Sequence, residues 1–232
     1  MANAAITNFR PIAEQAETAL NTLATGINTT NRLYQRTAAD RTPAGQSKYW
    51  AELVVKHLVE LGRIQAIIDS IVPTAEKTIT AARATLMPEA TTDQGRMAAE
   101  LGVQRILGRK LDTRSVLDMV TGDAPSPTRT LLLTELADRG QIGADVIEDV
   151  LKGTDDAYNA AVFAKGRAQT VANILSQKAA TLRGWLTTAP NTGTMQLDVD
   201  GVAGNVSVAT VLDAGEYKTH GGGEDRVFTH LS

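Results

Sequence analysis

WAELVVKHLVELGRIQAIIDSI, residues 50–71, is the stretch on which the fold turns. Trp50, Leu53, Val54, His57, Leu61, Ile64, Ile68 and Ile71 recur at helical spacing. Val55, Leu58, Val59 and Ile67 widen that stripe, which predicts a central helix contacted on two sides. Pro73 is expected to end or kink it, because proline cannot donate the next backbone hydrogen bond.

The same periodicity extends in both directions. Upstream, a helix is expected to start near Pro11 and to bury Ile12, Ala16, Leu20, Leu23 and Ile27. Gly26 and the Asn-Thr-Thr-Asn run at 28–31 weaken it, and the looser stretch Thr42-Pro43-Ala44-Gly45 separates it from the central helix. Downstream, one helix runs to Met87 before Pro88. Another starts at Thr91, Thr92 or Asp93, turns Met97, Leu101 and Ile106 inward and ends at Gly108. Asp112 caps a short helix that carries Val116, Leu117 and Val120. Residues 122–127, Gly-Asp-Ala-Pro-Ser-Pro, read as a joint. Leu131–Arg139 and Ala144–Lys152 make two short helices. A long helix follows Thr154-Asp155-Asp156, with Tyr158, Ala161, Ala168, Val171, Leu175, Leu182 and Leu186 on its inner face.

The character of the chain changes at Ala189-Pro190. Met195, Leu197 and Val199 alternate with Gln196, Asp198 and Asp200, the period of a half-buried strand. Val206 to Leu212 reads as a return strand after the turn-forming Asp200-Gly201 and Gly204-Asn205. Shorter strands are expected at Glu216–Thr219 and Arg226–Leu231. The reading is therefore mainly α: a multi-helix bundle over residues 1–188, followed by a short C-terminal β-hairpin or extended arm over residues 189–232.

Composition bounds the function. The chain has 232 residues and a net charge of −3, with 43% apolar and only 4% aromatic side chains. Beyond Pro190, Lys218 and Arg226 stand against six acids, so the arm would be repelled by nucleic acid or an anionic membrane. With no cysteine, disulfides, thiol catalysis and cysteine-based metal sites are excluded. The first residues show no secretory signal, so a soluble cytoplasmic protein is expected.

Motifs that suggest chemistry lack their required context. His220-Gly221-Gly222-Gly223 resembles an esterase oxyanion loop, but no G-x-S-x-G elbow accompanies it. Asp198-Val199-Asp200-Gly201 resembles part of a calcium loop, yet Gln196 and Ser207 stand where that loop needs acids. His57 reads as a hydrogen-bonded core histidine. Leu131–Lys152 has a helix–turn–helix outline with acids, Asp145, Glu148 and Asp149, where phosphate contact needs bases. Glu148/Asp149 and Asp155/Asp156 read as solvated faces and caps. No catalytic residue, cofactor or metal is expected. The rival reading is a small hydrolase-like enzyme with a site between body and tail, using His220 or His230 with Asp198 or Asp200.

The helical body of Ala4 to Thr188 with its arm of Asn191 to Ser232 resembles the head–tail connector proteins of tailed bacteriophages. That resemblance implies a virion structural protein whose bundle sits in a ring of copies beneath the portal. It also implies an arm that reaches onto neighbouring subunits, the portal or the capsid. Helices around Ala75 to Val120 exceed the small adaptors, and a scaffold, capsid-associated or tail component fits the plan nearly as well. Independently of it, an alternating strand with a free edge can complete another chain's sheet. Met195, Leu197, Val199, Val206, Val208, Val211, Tyr217 and Phe228 are the candidate contact residues.

Overall fold

The computed structural model describes residues 8–188 and 208–213. The described residues form helices that pack as bundles, and over residues 8–188 consecutive helices are joined by short turns. The helices are α1 (Arg10–Thr37), α2 (Pro43–Asp69), α3 (Ile71–Leu86), α4 (Asp93–Leu107), α5 (Thr113–Gly122), α6 (Pro127–Asp138), α7 (Ala144–Thr154), α8 (Asp156–Thr187) and α9 (Val208–Asp213). They divide into two compact units, residues 8–76 with 164–188 and 208–213, and residues 77–163.

In the first unit, α1 and α2 are antiparallel. Pro11 occupies the first turn of α1, and Ala16, Leu20, Leu23 and Ile27 are buried along one stripe. Gly26 does not interrupt the helix; a Cβ there would lie 3.1 Å from Cε1 of His57, so the glycine lets α2 approach closely. Thr42 and Pro43 start α2, the Thr42 hydroxyl accepting the Gly45 N–H at 3.3 Å. The buried face of α2 carries Trp50, Val54, His57, Leu61, Ile64 and Ile68. Trp50 meets Tyr34 edge-on at 5.2 Å and donates its indole N–H to the Leu186 carbonyl at 3.2 Å. This contact brings the end of α8 against the start of α2. The predicted inner face of α8, from Ala168 to Leu186, is buried. The break near Pro73 falls at Ser70, whose hydroxyl donates to the Ile67 carbonyl at 2.7 Å, and Pro73 sits in the first turn of α3.

The second unit is closed by side-chain caps. Thr92, Asp112 and Ser126 accept the N–H groups of Gly95, Ser115 and Arg129 at 3.1, 2.7 and 3.2 Å. Its core includes Leu117, Leu132, Leu133, Val150, Leu151 and Tyr158. Residues 123–126 form the loop between α5 and α6. At Gly140, after α6, φ is +67°, a conformation that glycine adopts without strain.

Two expectations are corrected. Met97 and Leu101 do not point inward: they are 64% and 52% exposed, while Ala99 and Val103 are buried. A Cβ at Gly102 would lie 2.7 Å from Cγ2 of Thr128, so α4 meets α6 along a small-residue face that admits no long side chain. The return strand at Val206–Leu212 is also overturned over its described residues, because Val208–Asp213 is helical. Val208 and Leu212, four residues apart, are buried, and that tertiary contact outweighs the β-branched composition. Met195, Leu197, Val199, Val206, Tyr217 and Phe228, and the strands proposed around them, lie outside the described residues.

Candidate functional site

The fragment of the tail that is described folds onto its own chain. Arg10 binds Asp213 at 2.9 Å, and the Glu17 carboxylate accepts the Val208 N–H at 3.1 Å. Glu17 also binds Lys178 at 3.0 Å, and Arg167 donates to the Leu212 carbonyl. α9 therefore runs antiparallel to α1 and is held by Arg10 and Glu17. Lys178 is nearly buried and Glu17 mostly so, which shields this pair from solvent screening. Val208 is enclosed by its own chain and Val211 is half-buried, so Val208 is not free to contact a neighbour. Lys178 gave a sequence signal that went unread: it interrupts the Val171, Leu175, Leu182 stripe at a helical position.

His57 sits where the sequence places it. Its Nε2 is 2.8 Å from the Thr30 hydroxyl, and burial, with a smaller contribution from Lys56, lowers its pKa below the ordinary 6.5. The unfolded chain therefore binds the proton first on acidification. The contribution of neutral His57 to stability is present above about pH 6.5 and is lost as pH drops from there toward the lower folded value. Between about pH 7.5 and about pH 5.5, urea unfolding of the protein is expected to lose stability, and His57→Gln to lose less. Equal losses would show that His57 does not carry this dependence.

Glu148 is not a solvated face. It accepts from Tyr158 Oη at 2.5 Å and from Arg83 at 2.9 Å, tying α3, α7 and α8 together. Burial first, then the Glu148 hydrogen bond, raises the Tyr158 pKa to about 12, so the phenol stays a donor. Asp155 does act as a cap, its carboxylate accepting the Ala157 N–H at 2.7 Å.

Arg129 is the other polar residue that sequence reasoning missed. It is 3% exposed, and Nη2 donates to the Thr154 hydroxyl at 2.6 Å. Among the described residues, its Nε and Nη1 are the buried side-chain nitrogens without a partner. Burial lowers its pKa and nearby Asp123 partly offsets that. Thr154 closes α7, so the guanidinium lies at a helix C-terminus, the end that favours positive charge.

A groove of about 300 Å³ opens between the start of α4 and α6, lined by Pro88, Glu89, Arg96, Pro127, Thr130 and Leu131 among others. Its polar groups are carboxylate, guanidinium and threonine hydroxyl. His220, His230, Asp198 and Asp200 lie outside the described residues. Among the described residues no group of three potential ligands could hold a metal, and no helix is long and apolar enough to cross a membrane.

No family model, curated protein or solved structure matches this chain. The geometry therefore stands alone. Its most marked surface features are large apolar side chains left outside: Val55 and Val59 on α2 at 57% and 55%, beside Leu58, and Met97 and Leu101 on α4.

Proposed function

We propose that this chain is a non-enzymatic assembly protein that oligomerises through its helical body and docks on neighbouring subunits through its C-terminal tail. A virion connector, meeting portal or capsid subunits, is the setting that the sequence plan suggests. The supporting observation is that each unit leaves large apolar side chains exposed, Val55, Leu58 and Val59 on α2 in one and Met97 and Leu101 on α4 in the other, and grouped apolar side chains on a helix surface favour protein contacts. α9 adds a second support. It fastens the tail to α1, which gives the sequence on either side of it a fixed origin on the body.

The test is the mass of the full chain by light scattering, alone and with Leu197→Asp and Val199→Asp combined. The expected result is a multiple of the 24.6 kDa chain that falls when the tail is substituted. Point substitutions are preferred to deleting residues 191–232, because deletion would also strip α9 from α1. A 24.6 kDa monomer at every concentration would overturn the proposal.

A further inference from the structure

One helix of the first unit carries two apolar faces, and among the described residues only one is covered. On α2, Trp50, Val54, His57, Leu61, Ile64 and Ile68 face the core. Ala51, Val55, Leu58, Val59, Gly62 and Ala66 form a second face and are exposed. Val55, Val59, Gly62 and Ala66 follow the four–three–four spacing of a coiled-coil seam. A Cβ added at Gly62 would meet nothing within 4 Å, so the middle of that seam is open.

From this face we infer that α2 pairs with α2 of a second copy, antiparallel, across a two-fold axis between Leu58 and Val59. The inference rests on the assembly reading only in taking a copy of the chain as the partner. Charge selects the direction. Lys48, Glu52, Arg63 and Asp69 lie in or beside the seam and are exposed. A parallel, in-register pair would set Lys48 on the partner's Lys48, Glu52 on the partner's Glu52 and Asp69 on the partner's Asp69. The antiparallel pair sets Lys48 against the partner's Asp69 and brings Glu52 within reach of the partner's Arg63. Each such pair occurs twice by symmetry. Arg63 now pairs with Glu60 of its own chain at 3.2 Å; both side chains are exposed, so that bond exchanges readily.

Shape agrees with charge. In the antiparallel register Val55 faces the partner's Gly62 and Ala51 faces the partner's Ala66. Leu58 meets the partner's Val59 at the axis. The large side chains of one copy thus fall on the small ones of the other. The seam is about 30 Å long and about 10 Å wide, so it covers on the order of 300 Å², less than the roughly 800 Å² per partner of a standard interface. By itself it forms a dimer that dissociates on dilution.

The chain has no cysteine, so single cysteines report the pairing directly. Val59→Cys lies next to its own counterpart at the axis and is expected to form a covalent dimer under mild oxidation. Val55→Cys is displaced from its counterpart by about 10 Å along the axis and is expected to stay monomeric alone. It is expected to cross-link when mixed with Gly62→Cys. Glu52→Lys sets like charges together and is expected to weaken sedimentation-measured association about tenfold, while the double variant E52K/R63E restores it. All these sites are exposed, and circular dichroism verifies that each variant is folded. Cross-linking of Val55→Cys alone as fast as Val59→Cys would overturn the antiparallel pair. Masses above the monomer with no Val59→Cys cross-link would overturn this surface and leave the assembly reading standing. A monomer at all concentrations would overturn both.

Discussion

Trp50→Ala is expected to cost about 3–5 kcal/mol of stability, the largest loss from any single change considered for this chain. Three effects converge at the site. The indole is 2% exposed, so its removal leaves a cavity beside Tyr34, Leu186 and the core face of α2. The edge-on contact with Tyr34 disappears. The Leu186 carbonyl lies in the last turn of α8, where no intrahelical donor reaches it, and the Trp50 N–H satisfies it. Trp50→Phe separates these effects. It retains most of the volume and loses the hydrogen bond, so about 1 kcal/mol is expected. Urea unfolding followed by far-ultraviolet circular dichroism measures both. A loss below about 1 kcal/mol for Trp50→Ala would show that this tryptophan does not join α1, α2 and α8.

Arg129→Met is expected to act in the opposite direction, raising stability by about 1–2 kcal/mol. The guanidinium is buried with Nε and Nη1 unpartnered, so its desolvation is only partly offset by Thr154 and by the C-terminal end of α7. Methionine has similar length and no polar group to satisfy. Its introduction orphans nothing, because the Thr154 hydroxyl keeps its bond to the Val150 carbonyl at 2.6 Å. Loss of the favourable charge at the helix end reduces the gain by about 0.5 kcal/mol. The unfolding midpoint decides it: a fall would show that an acid such as Asp123 neutralises Arg129 in solution.

The helical bundle was legible because it follows from local rules. Pro11, Thr92 and Asp112 mark helix starts through fixed φ or a side-chain acceptor, and those signals act within one turn of chain, whereas Ser126, read as part of the joint, caps a helix that starts at Pro127 rather than Leu131. The α8 stripe was equally legible, since every inner position recurs at the same period. Residues with two plausible faces were not. On α4, Met97–Leu101 and Ala99–Val103 both recur at four-residue spacing, and only the approach of Thr128 to Gly102 decides that the small pair is buried. On α2 the second apolar face was visible, but sequence alone assigned it a neighbour within the chain, whereas it remains exposed.

The polar contacts were the least legible, for the same reason. Glu17 and Lys178 are 161 residues apart in sequence, and Tyr158, Glu148 and Arg83 come from three helices. Nothing local distinguishes these side chains from the many acids and bases that stay in water. The tail shows the limit most sharply. Val208 to Leu212 carries β-branched residues and reads as strand, yet burying Val208 and Leu212 against the body makes it helix. Sequence by itself determined that residues 10–187 form a run of helices and where several of them start, because capping and periodicity are short-range. Only tertiary structure decided which face of each helix is buried and which charges are paired, because those depend on side chains that come together after the chain has folded.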